Sequence, residues 1–268
     1  MSLQTEVNFE LQKVNDWLIC NKLTLNIDKC KFMIISNKKK IPENFFVSID
    51  DSPLKQCNQY KYLGVMMDKN LNWKAHIDYI SSKISKACGI ISKLRYSVST
   101  KLLVEIYNAL IHSYLRYGIV IWGNTSGESL QPLNTLVNRA VKIMSFTYSD
   151  RTDLEPIFSD LKVLSLKNVF RLETAKYMYK LKNDLLPTVI GNYFETRSEY
   201  CMNPAPRYKF RKRNKTKKID TRLKSSEKSI QIKSEKIWSE IPESLRKKKS
   251  INSFKKHYKS VLLRGPLN

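Results

Sequence analysis

Three groups of residues in this 268-residue chain have chemistry to offer. The first is an acidic pair, Asp50 and Asp51, behind Ser48 and Ile49. Adjacent carboxylates, joined by a third, can chelate paired divalent ions for phosphoryl transfer. Ser52 and Pro53 follow at once, and Asp-Asp-Ser-Pro has the composition of a hairpin turn, so the pair is expected to shape backbone rather than hold metal. The second group is a basic run, Arg207, Lys209, Arg211, Lys212, Arg213, Lys215, Lys217 and Lys218, interleaved with Tyr208 and Phe210. Its cations suit phosphates and its rings suit unpaired bases, although a solvated loop or a nuclear import signal has the same composition. The third group is His76, His112 and His257 with Cys20, Cys30, Cys57, Cys88 and Cys201. None of these sits at ligand spacing from another, and five scattered cysteines fit neither a zinc site nor a disulfide framework. No metal is therefore expected, and the cysteines are read as reduced, buried small side chains.

Charge narrows the partner. The formal net charge is +24, and the last quarter, Cys201 to Asn268, carries 21 Lys and Arg against 5 Asp and Glu. That much positive charge repels itself unless a polyanion neutralises it, and nucleic acid is the first candidate. With 42% hydrophobic and 10% aromatic residues the chain can bury a core and is no disordered tail. It has no apolar run of membrane-spanning length, and the polar start MSLQTEVNFELQKVNDW is unlike a secretory leader, so no membrane partner and an intracellular location are expected.

Periodicity assigns the elements that must position these groups. Leu3, Val7, Leu11, Val14, Trp17 and Leu18 recur at helical steps, predicting an amphipathic helix to about Asn21. Residues 30–36, 45–50 and 60–67 read as strands, the last interrupted at Gly64. Beyond Trp73 the period changes from two to 3.6. Helices are predicted on Ile77–Leu94, Leu102–Leu115, Leu133–Phe146 and Ser165–Leu186, the last stopped by Pro187. Residues 201–224 read as a basic loop, and two short helices around Pro242 close the chain.

Three local patterns resemble the reverse transcriptases of non-LTR retrotransposons, especially the jockey-like class. They are WLICNKLTLNIDKCKFMIIS (17–36), YKYLGVMMDKNLNWKAHI (60–77), the most specific, and IYNALIHSYLRYGIVIWG (106–123). The stretch KSIQIKSEKIWSEIPESLRKKKSINSFKKHYKSVLL echoes the family's terminal segment. The resemblance implies an α+β, predominantly α chain. Residues 1–72 would be a palm remnant with a small antiparallel sheet and a primer-grip-like hairpin, 73–200 a helical thumb, 201–226 a basic linker and 227–268 a basic helical extension. Tyr62, Leu63 and Gly64 would press a primer backbone, because Gly64 removes bulk where a strand must approach. Trp73 and His76, at i and i+3, would pack the thumb helix onto that hairpin. Lys29 matches a lysine proposed to approach the departing pyrophosphate, although a solvated lysine ahead of a strand is the plainer reading here.

In that family the polymerising carboxylates lie on an aromatic-x-Asp-Asp strand and an earlier strand. Both precede the position of Met1, whereas Asp50 and Asp51 fall where the family has a hairpin turn. The resemblance thus implies a truncated RNA-directed DNA polymerase that is inactive alone and binds no Mg²⁺, the cofactor of full-length relatives. It would bind RNA, DNA or hybrid without sequence preference, in the nucleus, with a separate palm half as a possible partner and oligomeric state left open. Two other readings stand beside it: a host-retained helical module that binds protein, and an inert element-derived fragment whose sheet edges lack partners.

Overall fold

The computed structural model of the chain describes residues 3–36, 45–50, 52–147, 149, 153–187 and 230–265. The basic run from Arg207 to Lys218, with Tyr208, Phe210 and the rest of the expected linker, lies outside them, as do Asp51 and Cys201. The fold is α+β and predominantly α, as the sequence predicts. Two compact units divide it between Tyr79 and Ile80, inside a helix.

In the first unit α1 (Leu3–Cys20) is a continuous helix whose predicted apolar stripe is only partly turned inward, with Val7, Leu11 and Leu18 half-buried. Asn15 is its one buried residue, while Leu3, Val14 and Trp17 are exposed. Beside these apolar residues runs a row of amides spaced four, four and three apart. Gln4 Oε1 accepts the Phe46 amide at 3.3 Å and Asn8 Oδ1 the Ser48 amide at 3.3 Å. Gln12 Nε2 and Asn15 Nδ2 donate to the two Asp50 oxygens at 3.0 and 2.6 Å. The helix thereby satisfies strand donors that would otherwise stand open.

The strands are shorter than expected. β1 (Lys31–Phe32) pairs in parallel with β4 (Lys55–Gln56), where an antiparallel sheet was expected. β2 (Ser48–Ile49) and β3 (Ser52–Pro53) form a tight antiparallel hairpin. Residues 60–67 are not one interrupted strand but two, β5 (Gln59–Tyr62) and β6 (Val65–Asp68), paired antiparallel from Gln59 opposite Asp68 to Tyr62 opposite Val65. Leu63 and Gly64 turn the chain between them with φ of 45° and 86°. Left-handed backbone at both central positions is the type I′ geometry that matches strand twist; glycine takes it freely, Leu63 at about 1 kcal/mol.

α2 (Lys74–Leu94) begins at the end of the first unit and runs into the second. Trp73 stands one residue before it with φ 64°, so it is not on the helix as the i, i+3 reading had it. Within the second unit, Ile80, Ile84, Cys88 and Ile91 are fully buried on one face of α2, as their spacing predicts. α3 (Thr100–Tyr107) and α4 (Ser113–Arg116) are one helix interrupted by a π-helical turn at Asn108–His112 that periodicity did not reveal. Gly118, at φ 63°, starts α5 (Ile119–Trp122). A side chain at Gly123 would meet the Ile119 carbonyl oxygen at 2.6 Å and the Phe170 ring at 2.8 Å, so glycine there is a packing requirement.

α6 (Gly127–Met144) is capped by Ser126 and buries Leu133, Val137, Ala140, Val141 and Met144. α7 (Glu155–Asp160) leads to α8 (Leu166–Lys182), which ends ahead of Pro187, where Asp184 takes φ 53°. The terminal segment forms three helices rather than two: α9 (Ile230–Glu240), α10 (Glu243–Arg246) and α11 (Ile251–Leu263). α11 packs on α8 through Phe254, whose ring stacks on Tyr179 at 5.0 Å, and through Asn168 Nδ2, which donates to the Leu262 carbonyl at 3.1 Å. Among the described residues Cys20, Cys30, Cys57 and Cys88 are free, but only Cys88 is buried; Cys20 is exposed at the end of α1, and Cys30 and Cys57 are half-buried beside the short strands β1 and β4.

Candidate nucleic-acid interface

The β5–β6 hairpin carries the site residues expected at 62–64. Its first strand is wholly exposed, whereas Val65 and Asp68 of the second are buried. The tip is apolar and open: Tyr62 is 58% exposed and Leu63 72%. Lys61 lies against Tyr79, its Nζ 4.8 Å from the ring centroid and 3.2 Å from the hydroxyl.

The root of the hairpin is held by polar side chains. The Met66 amide donates to Nδ1 of His76, a buried residue in the first turn of α2, at 3.3 Å. Burial pushes the His76 pKa below its ordinary value, and the neutral ring is the form that can accept this bond. Asp68 Oδ1 accepts the amides of Asn70 and Asn72 at 2.9 and 3.4 Å, and Asn72 Oδ1 accepts the Lys74 amide at 2.9 Å. This relay converts the strand end into a helix start. His76 thus joins helix to hairpin as expected, while Trp73 serves the turn.

Of the other residues singled out in the sequence, Lys29 and Asp50 are described, and neither is bonded to the hairpin. Lys29 is exposed at the end of the short 3₁₀ turn Ile27–Lys29, ahead of β1. Asp50 occupies the β2–β3 turn with φ 47°, and its carboxylate is taken up by Gln12 and Asn15. Side-chain amides are hydrogen-bond donors to an anion, not competitors for a cation, so this setting does not fit a Mg²⁺ ligand. Among the described residues no group of three or more His, Cys, Asp or Glu is placed to hold a metal ion.

A second concentration of charge, which sequence reasoning missed, lies where α4 and α11 meet α8. Glu173 of α8 is bonded to Arg116 Nε at 3.2 Å and to Lys176 Nζ at 2.6 Å. Lys255 and Lys259, one turn apart on α11, lie close enough to load this group with further positive charge, and His112 at the end of the π-helical turn sits among them. Burial, then Lys259 and Arg116, lower the His112 pKa to about 4. These residues are far apart in sequence, so only the signal of each helix's own i, i+4 spacing was available beforehand.

Sequence comparison supplies the class. The chain is similar to RNA-directed DNA polymerases of mobile elements, of the non-LTR, jockey-like kind, in keeping with the patterns at 17–36, 60–77 and 106–123. Over 207 residues, 75% of this chain, it is 25% identical to the RNA-directed DNA polymerase from mobile element jockey of Drosophila funebris. Over the same length it is 24% identical to the jockey polymerase of Drosophila melanogaster. A probable RNA-directed DNA polymerase from transposon X-element of Drosophila melanogaster is 24% identical over 138 residues, half of this chain. The chain spans only 22% of the length of each jockey polymerase and 15% of the X-element protein. No protein-family model matches it, and no solved structure does.

Proposed function

We propose that this chain is the nucleic-acid-holding, non-polymerising part of a mobile-element reverse transcriptase. The observation that carries the reading is its similarity to such polymerases over three quarters of its length. The hairpin of Tyr62, Leu63 and Gly64 is, in this reading, a grip for the backbone of a primer. The basic run Arg207 to Lys218 and the helices beyond it hold RNA, DNA or hybrid through phosphates, without sequence preference and in the nucleus. The carboxylates that bind Mg²⁺ and polymerise come from sequence other than these 268 residues. Asp50, donor-bonded in a turn, supports that assignment.

Fluorescence anisotropy with labelled single strands and primer–template duplexes tests the reading. If about six cations contact phosphates, affinity falls on the order of a thousandfold between 50 and 200 mM salt. Absent or salt-insensitive binding contradicts it. A protein-docking role is a second reading, favoured by the exposed Leu3, Phe9, Val14, Trp17 and Ile19 of α1. Co-purifying protein that survives nuclease treatment would favour that role instead.

A further inference from the structure

Asp68 differs from Asp50 in having one oxygen to spare. Both oxygens of Asp50 are taken by side-chain amides. Asp68 is 6% exposed; its Oδ1 accepts the Asn70 and Asn72 amides, and its buried Oδ2 has no hydrogen-bond partner among the described residues. A buried carboxylate oxygen without a donor or a cation is destabilising, so this one calls for a partner.

The surroundings set the chemistry of that partner. Asp68 lines a cleft of about 320 Å³ at the root of the β5–β6 hairpin, together with Asn58, Gln59, Asn70, Asn72 and Asp78. Backbone bonds tie these residues together. Gln59 stands directly opposite Asp68 in the ladder, where side chains lie about 5 Å apart, and the Lys69 amide donates to the Asn58 carbonyl at 3.0 Å. Among the described residues the fold bonds none of the side-chain carboxamides of Asn58, Gln59 and Asn70. Two carboxylates and four carboxamide oxygens, with no sulfur or imidazole, are the donor set of a hard divalent cation.

The order of residues agrees. Asp68, Asn70 and Asn72 alternate as the first, third and fifth ligands of calcium loops do. In sixth place, where such loops turn sharply on a glycine, Trp73 takes φ 64°. Tyr79 stands where the bidentate glutamate of those loops would be, so binding should be weak, with a Kd on the order of 10⁻⁴ to 10⁻³ M. Lys69 and Lys74 also line the cleft, but both are exposed. Lys74 pairs with Asp78 at 3.0 Å through side chains 78% and 58% exposed, and can turn to solvent as an ion enters.

We propose that the cleft of Asp68, Asn70, Asn72, Asn58, Gln59 and Asp78 is a divalent-cation site that locks the hairpin to the start of α2. An irregular loop rich in protein oxygens favours Ca²⁺ over Mg²⁺, which demands a near-ideal octahedron and keeps its water. The role is structural, distinct from that of polymerising carboxylates, and independent of nucleic-acid binding.

Tb³⁺ luminescence of the full chain tests it, since Tb³⁺ substitutes for Ca²⁺ and Trp73, inside the loop, sensitises its emission. The parent should show sensitised emission that Ca²⁺ displaces about tenfold more effectively than Mg²⁺. Asp68→Asn keeps an oxygen for the Asn70 and Asn72 amides, and should weaken Tb³⁺ and Ca²⁺ binding by about tenfold or more. Asn70→Ala, at an exposed side chain, should weaken binding with the metal-free melting temperature unchanged. That second variant decides the matter if Asp68→Asn melts early. Glu10→Gln, an exposed carboxylate on α1, should leave the titration as it is. No sensitised emission, or emission and Ca²⁺ competition unchanged in Asn70→Ala, overturns the site. Equal displacement by Mg²⁺ also overturns the preference for Ca²⁺.

Discussion

His112 illustrates how a single buried ring ties charge to stability. Its ordinary pKa of 6.5 describes the unfolded chain; in the fold, burial and the cations of Lys259, Arg116 and Lys255 lower it to about 4, with Glu173 acting weakly the other way. A folded pKa below the unfolded one means that protonation favours unfolding. His112 therefore contributes fully above pH 6.5, and that contribution drains away as pH falls from 6.5 towards 4. Its size is at most ~3 kcal/mol. His76, also lowered by burial, acts in the same direction. Urea midpoints measured from pH 7.5 to 4.5 should drop more steeply for the parent chain than for His112→Gln. Parallel curves would mean that the ring is solvated and the charge group around Glu173 more open than described.

At the scale of elements, α1 is where sequence and structure part most sharply. Its apolar residues gave a clear helical period, and the helix is real, but only Val7, Leu11 and Leu18 of that stripe are half-buried, and the bonds to the neighbouring strands come from Gln4, Asn8, Gln12 and Asn15. Periodicity counts hydrophobic positions, so it finds helices and cannot tell which face meets the protein when the contact is made by amides. Asn15→Ala removes a bond to a carboxylate and leaves Asp50 short of a donor, a cost of about 1–3 kcal/mol. Trp17→Gln, at an exposed position, should change stability by no more than about 0.5 kcal/mol. Chemical denaturation of the two variants decides between the faces, and the reverse order would restore the apolar stripe as the inner one.

The same reasoning explains the other departures. Long helices such as α2 and α6 were legible because Ile80, Ile84, Cys88, Ile91 and Leu133, Val137, Val141, Met144 repeat over several turns. The β5–β6 turn, implied by the resemblance, was hidden from periodicity because Leu63-Gly64 sits inside an apolar run and lacks the Asn-Gly or Asp-Gly signal of a type I′ hairpin. The π-helical turn before Ser113 leaves no mark on hydrophobic spacing, yet it sets where His112 and Arg116 emerge. Turn chemistry at Asp50 was legible because Ser52 and Pro53 announced it. The charge group around Glu173 was not, since nothing in the order of residues brings Arg116, Lys176 and Lys259 together.

For the whole molecule, charge and sequence similarity point the same way. A formal net charge of +24 is sustained in a chain that resembles mobile-element polymerases but spans about a fifth of their length. Within the described residues three of its carboxylates are engaged by the fold: Asp50 by amides, Asp68 by the start of α2, Glu173 by two cations. The proposed function is that of a chain that holds nucleic acid while other sequence supplies the polymerising carboxylates. Primer extension measures this directly: purified chain, a labelled primer–template, Mg²⁺ and all four nucleotides, with retention of the labelled duplex followed in the same sample. The account predicts a retained, unextended primer. Extension that disappears in Asp50→Asn would contradict it, because the turn carboxylate would then be a metal ligand.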